Sequence, residues 1–369
     1  MPEVSGTTPA AHVQSTNRTI CDVIASMSSA DDRSYDVSDE ARTMVSVVVS
    51  VCLCGVISLL GVFTNAMNML VFTRQGLQDN VNISLFGLAL TDLLCLVFNF
   101  WISVCYIVII LDPPTLTVDP YSLSIITASL PRVIFTRVSC WLTALISLQR
   151  CLCVALPFKV RDVFTPRTTA YLTLTISAFT FLSHMSLYFY SDLHAVLDPR
   201  SNTSKVYLVP LSYGHVDLYV NTLFFFFLPL LNFLLIFACT LGMISLLKSS
   251  TKWREIARKG NSVNIRPLNH HNEYKNQDMR ESKEARVSKM IIVIMLIFIT
   301  CNIPSNVLLA IRNVVPEFQE NGRLKNLFHV THALAFLLEA VNSSANFFAY
   351  FFMSSKFYTT FTSFFKHRL

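Results

Sequence analysis

Four charged residues lie deep inside long apolar stretches of this sequence: Asp92, Arg132, Arg137 and Glu339. A charge in lipid costs roughly 2.5–3.5 kcal/mol by insertion measurements, so each must turn inward and find a partner. Asp92 needs donors or a cation. Asn65, Asn342, Ser343 and Asn346 are the polar residues able to solvate it, with water or a sodium ion. Arg132 precedes Arg150 by eighteen residues. That is five helical turns, so the two side chains face the same way about 27 Å apart. Glu339 precedes Asn346 by seven residues and lies on nearly the same face. Arg137 precedes Arg150 by thirteen and points elsewhere, toward a fourth or fifth helix. Two cations and one anion at one depth suit an anionic or zwitterionic ligand, such as an amino acid or small carboxylate, because the arginine fork binds carboxylates bidentately. Asn302 and Arg312 complete this ligand-binding set. The alternative is that Arg132 and Glu339 simply pair with each other. His184, His329 and His332 fall within the apolar stretches without a carboxylate or Cys partner. They read as pocket or packing residues, and no metal site is expected.

The elements that must hold these residues are membrane helices. The chain has 369 residues, of which 53% are hydrophobic and 14% charged. A soluble domain carries about a quarter charged residues. A bilayer core takes about 20 apolar residues as a helix. Seven stretches qualify: 44–72, 81–111, 121–154, 168–191, 214–247, 284–312 and 326–353. Backbone groups cannot go unpaired in lipid, so all seven are expected to be helical and the fold class is an all-α seven-transmembrane bundle. The 10 Cys lie almost all in apolar stretches, where a thiol acts as a small hydrophobe.

The flanking segments orient the bundle. Residues 1–43 form an acidic tail, expected to be disordered, and Met1–Gln14 has no apolar h-region, so the first span is expected to serve as its own insertion signal. The loop 248–283 is strongly basic, and Arg74, Lys159, Arg161 and Arg167 lie in the two other loops on that side. By the positive-inside rule this is the cytoplasmic side, with the N-terminus outside a plasma membrane. The ends of the basic loop are expected to extend the fifth and sixth helices, with a flexible middle around Asn269–Asn276. Asn17 and Asn202 head Asn-X-Ser/Thr sequons on the outer side. In residues 354–369, Phe357, Phe361, Phe364 and Phe365 are spaced three and four apart among Lys356, Lys366 and Arg368. That pattern predicts an amphipathic helix on the inner membrane surface.

The polar residues within the spans fall into an ordered series. The first span has Asn65 in Gly61-Val62-Phe63-Thr64-Asn65. The second reads Leu88-Ala89-Leu90-Thr91-Asp92. The third ends Leu148-Gln149-Arg150-Cys151, with Pro157 and Phe158 beyond it. The fifth holds Pro229, the sixth Phe298 and Cys301-Asn302-Ile303-Pro304. The seventh has Asn342-Ser343-Ser344-Ala345-Asn346-Phe347-Phe348-Ala349-Tyr350, followed by Lys356-Phe357. In this order the series resembles the rhodopsin-like (class A) G-protein-coupled receptors over nearly all of 44–369. The matched phrases are LAxAD, DRY, CWxP and NSxxNPxxY. The resemblance implies a cell-surface receptor coupled to a heterotrimeric G protein, not an enzyme. It implies a coupling and switch set of Arg150, Glu284, Pro157, Phe158, Asn346 and Tyr350. Pro229, Phe298, Pro304 and Phe357 are structural positions in it. Glu284 lies twenty residues before Pro304, about 30 Å along a helix, where the resemblance implies a resting ionic bridge to Arg150.

The chain departs from the pattern in several places. Gln149, Cys151, Asn302 and Phe347 replace the usual acid, Tyr, Trp and Pro. Ile125 stands where the family's disulfide would leave the third helix, and 191–217 has no Cys. That bridge is impossible, leaving a Cys21–Cys105 bond as the alternative. The phrase Leu148-Gln149-Arg150-Cys151-Leu152-Cys153-Val154-Ala155-Leu156-Pro157-Phe158-Lys159-Val160 is similar to one in gastropod chemosensory receptors, with FMRFamide-type peptide receptors more distant. An opsin would need a Lys in the last span, where there is none. A membrane transporter, the reading from a different class, would show internal repeats, and none is visible.

Overall fold

The computed structural model describes residues 36–111, 116–156, 160–198, 203–210, 222–261 and 271–366. Within them seven long helices and one short one carry the architecture. These are α1 (Asp39–Gln75), α2 (Asn80–Leu111), α3 (Pro120–Ala155), α4 (Pro166–Met185), α5 (Leu228–Asn261), α6 (His271–Val314), α7 (Lys325–Met353) and α8 (Ser355–Lys366). A hairpin of β1 (Ser191–Asp198) and β2 (Thr203–Pro210) lies between α4 and α5. The helices close a ring in which α1 packs on α2 and α7, α6 packs on α5 and α7, and α3 runs through the middle against α2, α4, α5 and α6.

Local chemistry sets the helix ends. Ser38 accepts from the Ala41 amide at the start of α1, and Asp39 and Glu40 fill the first turn, where the helix dipole favours acids. Gly76 ends α1 with φ 91, a left-handed conformation that glycine adopts without strain. Asp119 accepts from the Ser122 amide at the start of α3, with Pro120 in the first turn. The Leu324 cap of α7 has no side-chain acceptor of its own. Both Asp36 carboxylate oxygens supply it, accepting from the Asn326 and Leu327 amides at 2.9 Å each. α1 therefore begins five residues before the expected span, and Asp39–Thr43, expected to be part of a disordered tail, are helical. At the other end of the bundle, α5 and α6 leave only 262–270 of the expected loop, so His271–Asn276 is helical rather than flexible.

Among the described residues, six helices are long and apolar enough to cross a bilayer. The seventh, α7, has 29 residues, about 43 Å, but Glu339, Asn342, Ser343, Ser344 and Asn346 dilute its apolarity. The polarity is inverted relative to a soluble protein. Leu60, Phe63, Leu174, Phe179, Leu182, Leu231, Leu234 and Phe352 are exposed. Asn65, Asn68, Asp92, Asn99, Ser139, Thr143, Ser147 and Asn232 are buried. Lipid is as apolar as Leu, so such a bundle is held by close packing and interhelical hydrogen bonds. Asn99 Nδ2 donates to Ser58 Oγ at 2.8 Å and Ser103 Oγ to the Ser50 carbonyl at 2.6 Å, both joining α1 to α2. On α8, Phe357 is buried against Phe72 and Tyr350, and Phe361 meets Phe347 and Phe351 edge to face.

Gly61 marks the tightest approach. A methyl group there would meet Ser344 Oγ at 2.2 Å and Leu96 Cδ1 at 2.6 Å. Gly61→Ala is expected to destabilise the bundle by about 1–3 kcal/mol. A thermal-melt comparison of purified wild type and variant checks this, and an unchanged melt would show that α1 and α7 do not meet here.

Candidate functional site

The two halves of the bundle interior carry separate polar centres. Nearer the hairpin, Arg132 on α3 is 3% exposed. Its Nη1 donates to Glu339 Oε2 of α7 at 2.8 Å. Ser305 Oγ of α6 donates to Glu339 Oε1 at 2.7 Å. The guanidinium carbon lies 3.9 Å from the Phe336 ring centroid, in cation–π geometry. One carboxylate thus ties three helices. Arg132 Nε is buried without a partner, so the fork retains a donor for another acceptor.

Arg137 and Asn302 are placed together, away from that pair. They line a cavity between α3, α4, α5 and α6 with Trp141, His184, Asn232 and Asn306. The thirteen-residue offset from Arg150 turns Arg137 toward α4 and α5. Arg312 is exposed near the hairpin end of α6 and joins neither group.

The hairpin is seated without sulphur. Asp119 N donates to the Val206 carbonyl at 2.9 Å, and Val206 N donates to the Thr117 carbonyl at 2.8 Å. Leu208 N donates to Ser122 Oγ at 3.0 Å. Backbone pairing and one serine therefore do what a disulfide to α3 would do. Tyr121 donates to the Glu320 carboxylate, fastening the same end of α3 to the turn before α7. Cys105 is buried among Ile102, Tyr106 and Ala128, and Cys21 lies outside the described residues. Incubation with dithiothreitol is expected to leave the melting temperature unchanged. A drop of several degrees would reveal a disulfide reaching the tail.

The second centre is Asp92 on α2, which is fully buried. Ser139 Oγ of α3 donates to its Oδ1 at 2.6 Å and Asn346 Nδ2 of α7 to its Oδ2 at 2.8 Å. Asn65 does not reach it. Asn65 Nδ2 instead donates to the Ser343 carbonyl at 2.8 Å, and its Oδ1 accepts from Asn68. Asn342 makes no hydrogen bond to a described residue. The four-residue set expected around Asp92 is therefore corrected: Ser139 stands in it, and Asn65 and Asn342 sit outside its direct contacts.

The family comparison fits this arrangement. The family model described as 7 transmembrane receptor (rhodopsin family) matches residues 64–346, from the residue before Asn65 to Asn346. The chain belongs to the rhodopsin family of seven-transmembrane receptors. It is a multi-pass membrane receptor and not an enzyme or transporter, and a G protein and an extracellular ligand are the partners that membership implies. No curated protein matches it.

At the α8 end of the receptor, Gln149 is buried and faces away from Arg150. Its Oε1 accepts from Ser84 of α2 at 3.0 Å, and its Nε2 donates to Thr169 of α4 at 3.5 Å. With an amide in place of an acid, Arg150 has no ion-pair partner among the described side chains. Glu284 lies on α6, but its side chain is outside the described residues, as are Pro157 and Phe158. Tyr350 is buried between Phe72 and Phe357 with its hydroxyl unpartnered. Pro229 lines the Arg137 cavity with Phe298, and Pro304 lies inside α6. Asn17 and Asn202 fall outside the described residues. Ser139 and Ser305 were missed in sequence. A hydroxyl eleven residues before Arg150, on the Arg132 side of α3, was the only available signal for Ser139.

Proposed function

We propose that this receptor lies in the plasma membrane with its hairpin end outside, is activated by an extracellular ligand bearing a carboxylate, and signals to a heterotrimeric G protein at its α8 end. The observation that carries this reading is the buried Arg132–Glu339 pair joining α3, α6 and α7. A buried ion pair is stable only while both partners are satisfied. A ligand carboxylate can take the Arg132 fork, using the spare Nε donor, and a ligand ammonium can take Glu339. A zwitterion such as an amino acid satisfies both charges and releases the three helices from one another. The basic residues Arg74, Arg286, Lys289 and Lys356 support placing the α8 end in the cytoplasm. Arg150, Glu284, Pro157, Phe158, Asn346 and Tyr350 form the coupling set in this reading, with Arg150–Glu284 as a resting bridge. Asn17 and Asn202 would carry glycans. The oxygens of Asp92, Ser139 and Ser343 suit a sodium ion, whose charge would replace the donors that now satisfy Asp92.

The gastropod-like phrase 148–160 supports a chemosensory cue as the ligand. A neuropeptide is the second reading. It is favoured by the hairpin, in which β1 pairs with no strand but β2 among the described residues and so offers its outer edge to an extended peptide, with Leu193 and Leu197 exposed. The test is nucleotide exchange in receptor-bearing membranes presented with amino acids, small carboxylates and peptides. The expected result is a response to a zwitterion that weakens at least tenfold in Arg132→Gln. An equal response of wild type and Arg132→Gln at matched surface density would overturn the carboxylate reading.

A further inference from the structure

We propose that the chamber beside Arg137 is an anion site, filled by a chloride-sized ion and separate from the Arg132–Glu339 centre. The argument starts from charge. Arg137 lies within the α3 span, its Nε is buried without a partner, and no described carboxylate pairs with its guanidinium. Both nearby acids are engaged elsewhere: Glu339 by Arg132 and Ser305, and Asp92 by Ser139 and Asn346. An arginine cannot shed its charge to escape this, because its proton affinity is too high. A lone cation at this depth needs a counter-ion or ordered water.

The chamber supplies the space and the lining. Its volume is about 20 Å³. About 10–15 Å³ of such space holds one water, so a monatomic anion fits and an amino acid does not. The wall is amide-rich. Asn232 donates one amide hydrogen to the Cys140 carbonyl, Asn302 one to Phe298 and Asn306 one to Asn302. Each NH2 group keeps a second hydrogen, and Trp141 lines the same wall. Three amides line the chamber beside the guanidinium, and no carboxylate is among its described lining residues, a composition that suits an anion. Because α3, α4, α5 and α6 all line the space, a bound anion would hold them together.

The experiment is a thermal melt of the purified full-length receptor in sodium chloride, bromide, formate or gluconate at equal ionic strength, for wild type and Arg137→Gln. This readout needs neither the ligand nor G-protein coupling, so it stands apart from the function proposed above. The expected result is a saturable rise on the order of 2 °C in chloride and bromide over gluconate. The rise should disappear in Arg137→Gln. Equal melts in chloride and gluconate would overturn the proposal and leave water in the chamber. A halide effect surviving in Arg137→Gln would place the ion elsewhere, which also overturns it. Stabilisation by formate but not by halide would mean that the chamber takes a carboxylate arm instead. If Arg137→Gln does not fold, anomalous scattering from bromide-soaked wild-type crystals decides: a peak beside Arg137 supports the site, and its absence removes it.

Discussion

Glu339→Ala is expected to cost about 3–5 kcal/mol and to remove most receptor from the cell surface, because it leaves the Arg132 guanidinium buried and unpaired. The loss should exceed what the contact itself is worth. Arg132 is held by one carboxylate oxygen and covered by Phe336, and no other acid among the described residues pairs with it. Glu339→Gln should be far milder, since an amide oxygen still accepts from Arg132 while its NH2 group meets the Ser305 hydroxyl, which can turn to accept. The double variant Arg132→Gln/Glu339→Gln removes both charges and should recover most of the stability lost by Glu339→Ala. Surface counts and melting temperatures for wild type, Arg132→Gln, Glu339→Gln and the double variant form a double-mutant cycle. Additive losses would show that the two residues do not interact.

The second large effect is expected at Asp92. Replacing it with Ala strands two buried donors, the Ser139 hydroxyl and the Asn346 amide, each worth about 1–3 kcal/mol when left unmade. Asp92→Asn should be milder. Its single oxygen accepts from Asn346, its NH2 group meets the Ser139 hydroxyl, and that hydroxyl can rotate to accept. The order of melting temperatures should therefore be wild type, then Asp92→Asn, then Asp92→Ala. The reverse order for the two variants would mean that stranding the Ser139 and Asn346 donors costs less than seating an amide between them.

The sequence was most legible where one physical constraint acts alone. Lipid forces helices, so seven long apolar stretches already imply a bundle. α7 is instructive, because its polar residues lower its apolarity yet mark it as an interior helix. Helical periodicity gives direction but not distance. The eighteen-residue interval sends Arg132 the way Arg150 points, and the thirteen-residue interval sends Arg137 to a different wall. Neither could say that Glu339 would lie at 2.8 Å or that Ser305 would complete the centre, because those depend on how three helices cross. The hairpin has no comparable local signal, since each strand is only eight residues long and gains its partner by pairing. The Asp36 cap joins residues 290 positions apart, a contact that no local pattern announces. The turned Gln149 is similar: the loss of the acid was visible, but the Ser84 and Thr169 partners lie on other helices.

The central claim is that the Arg132–Glu339 pair restrains a receptor that acts through Arg150. Ligand-independent nucleotide exchange on a panel of G proteins tests it, comparing wild type, Glu339→Gln and Glu339→Gln/Arg150→Ala at equal surface density. The account predicts that Glu339→Gln raises basal exchange on at least one G protein and that adding Arg150→Ala returns it to the level of empty membranes. Equal exchange by wild type and Glu339→Gln, or a raised level that survives Arg150→Ala, would contradict it.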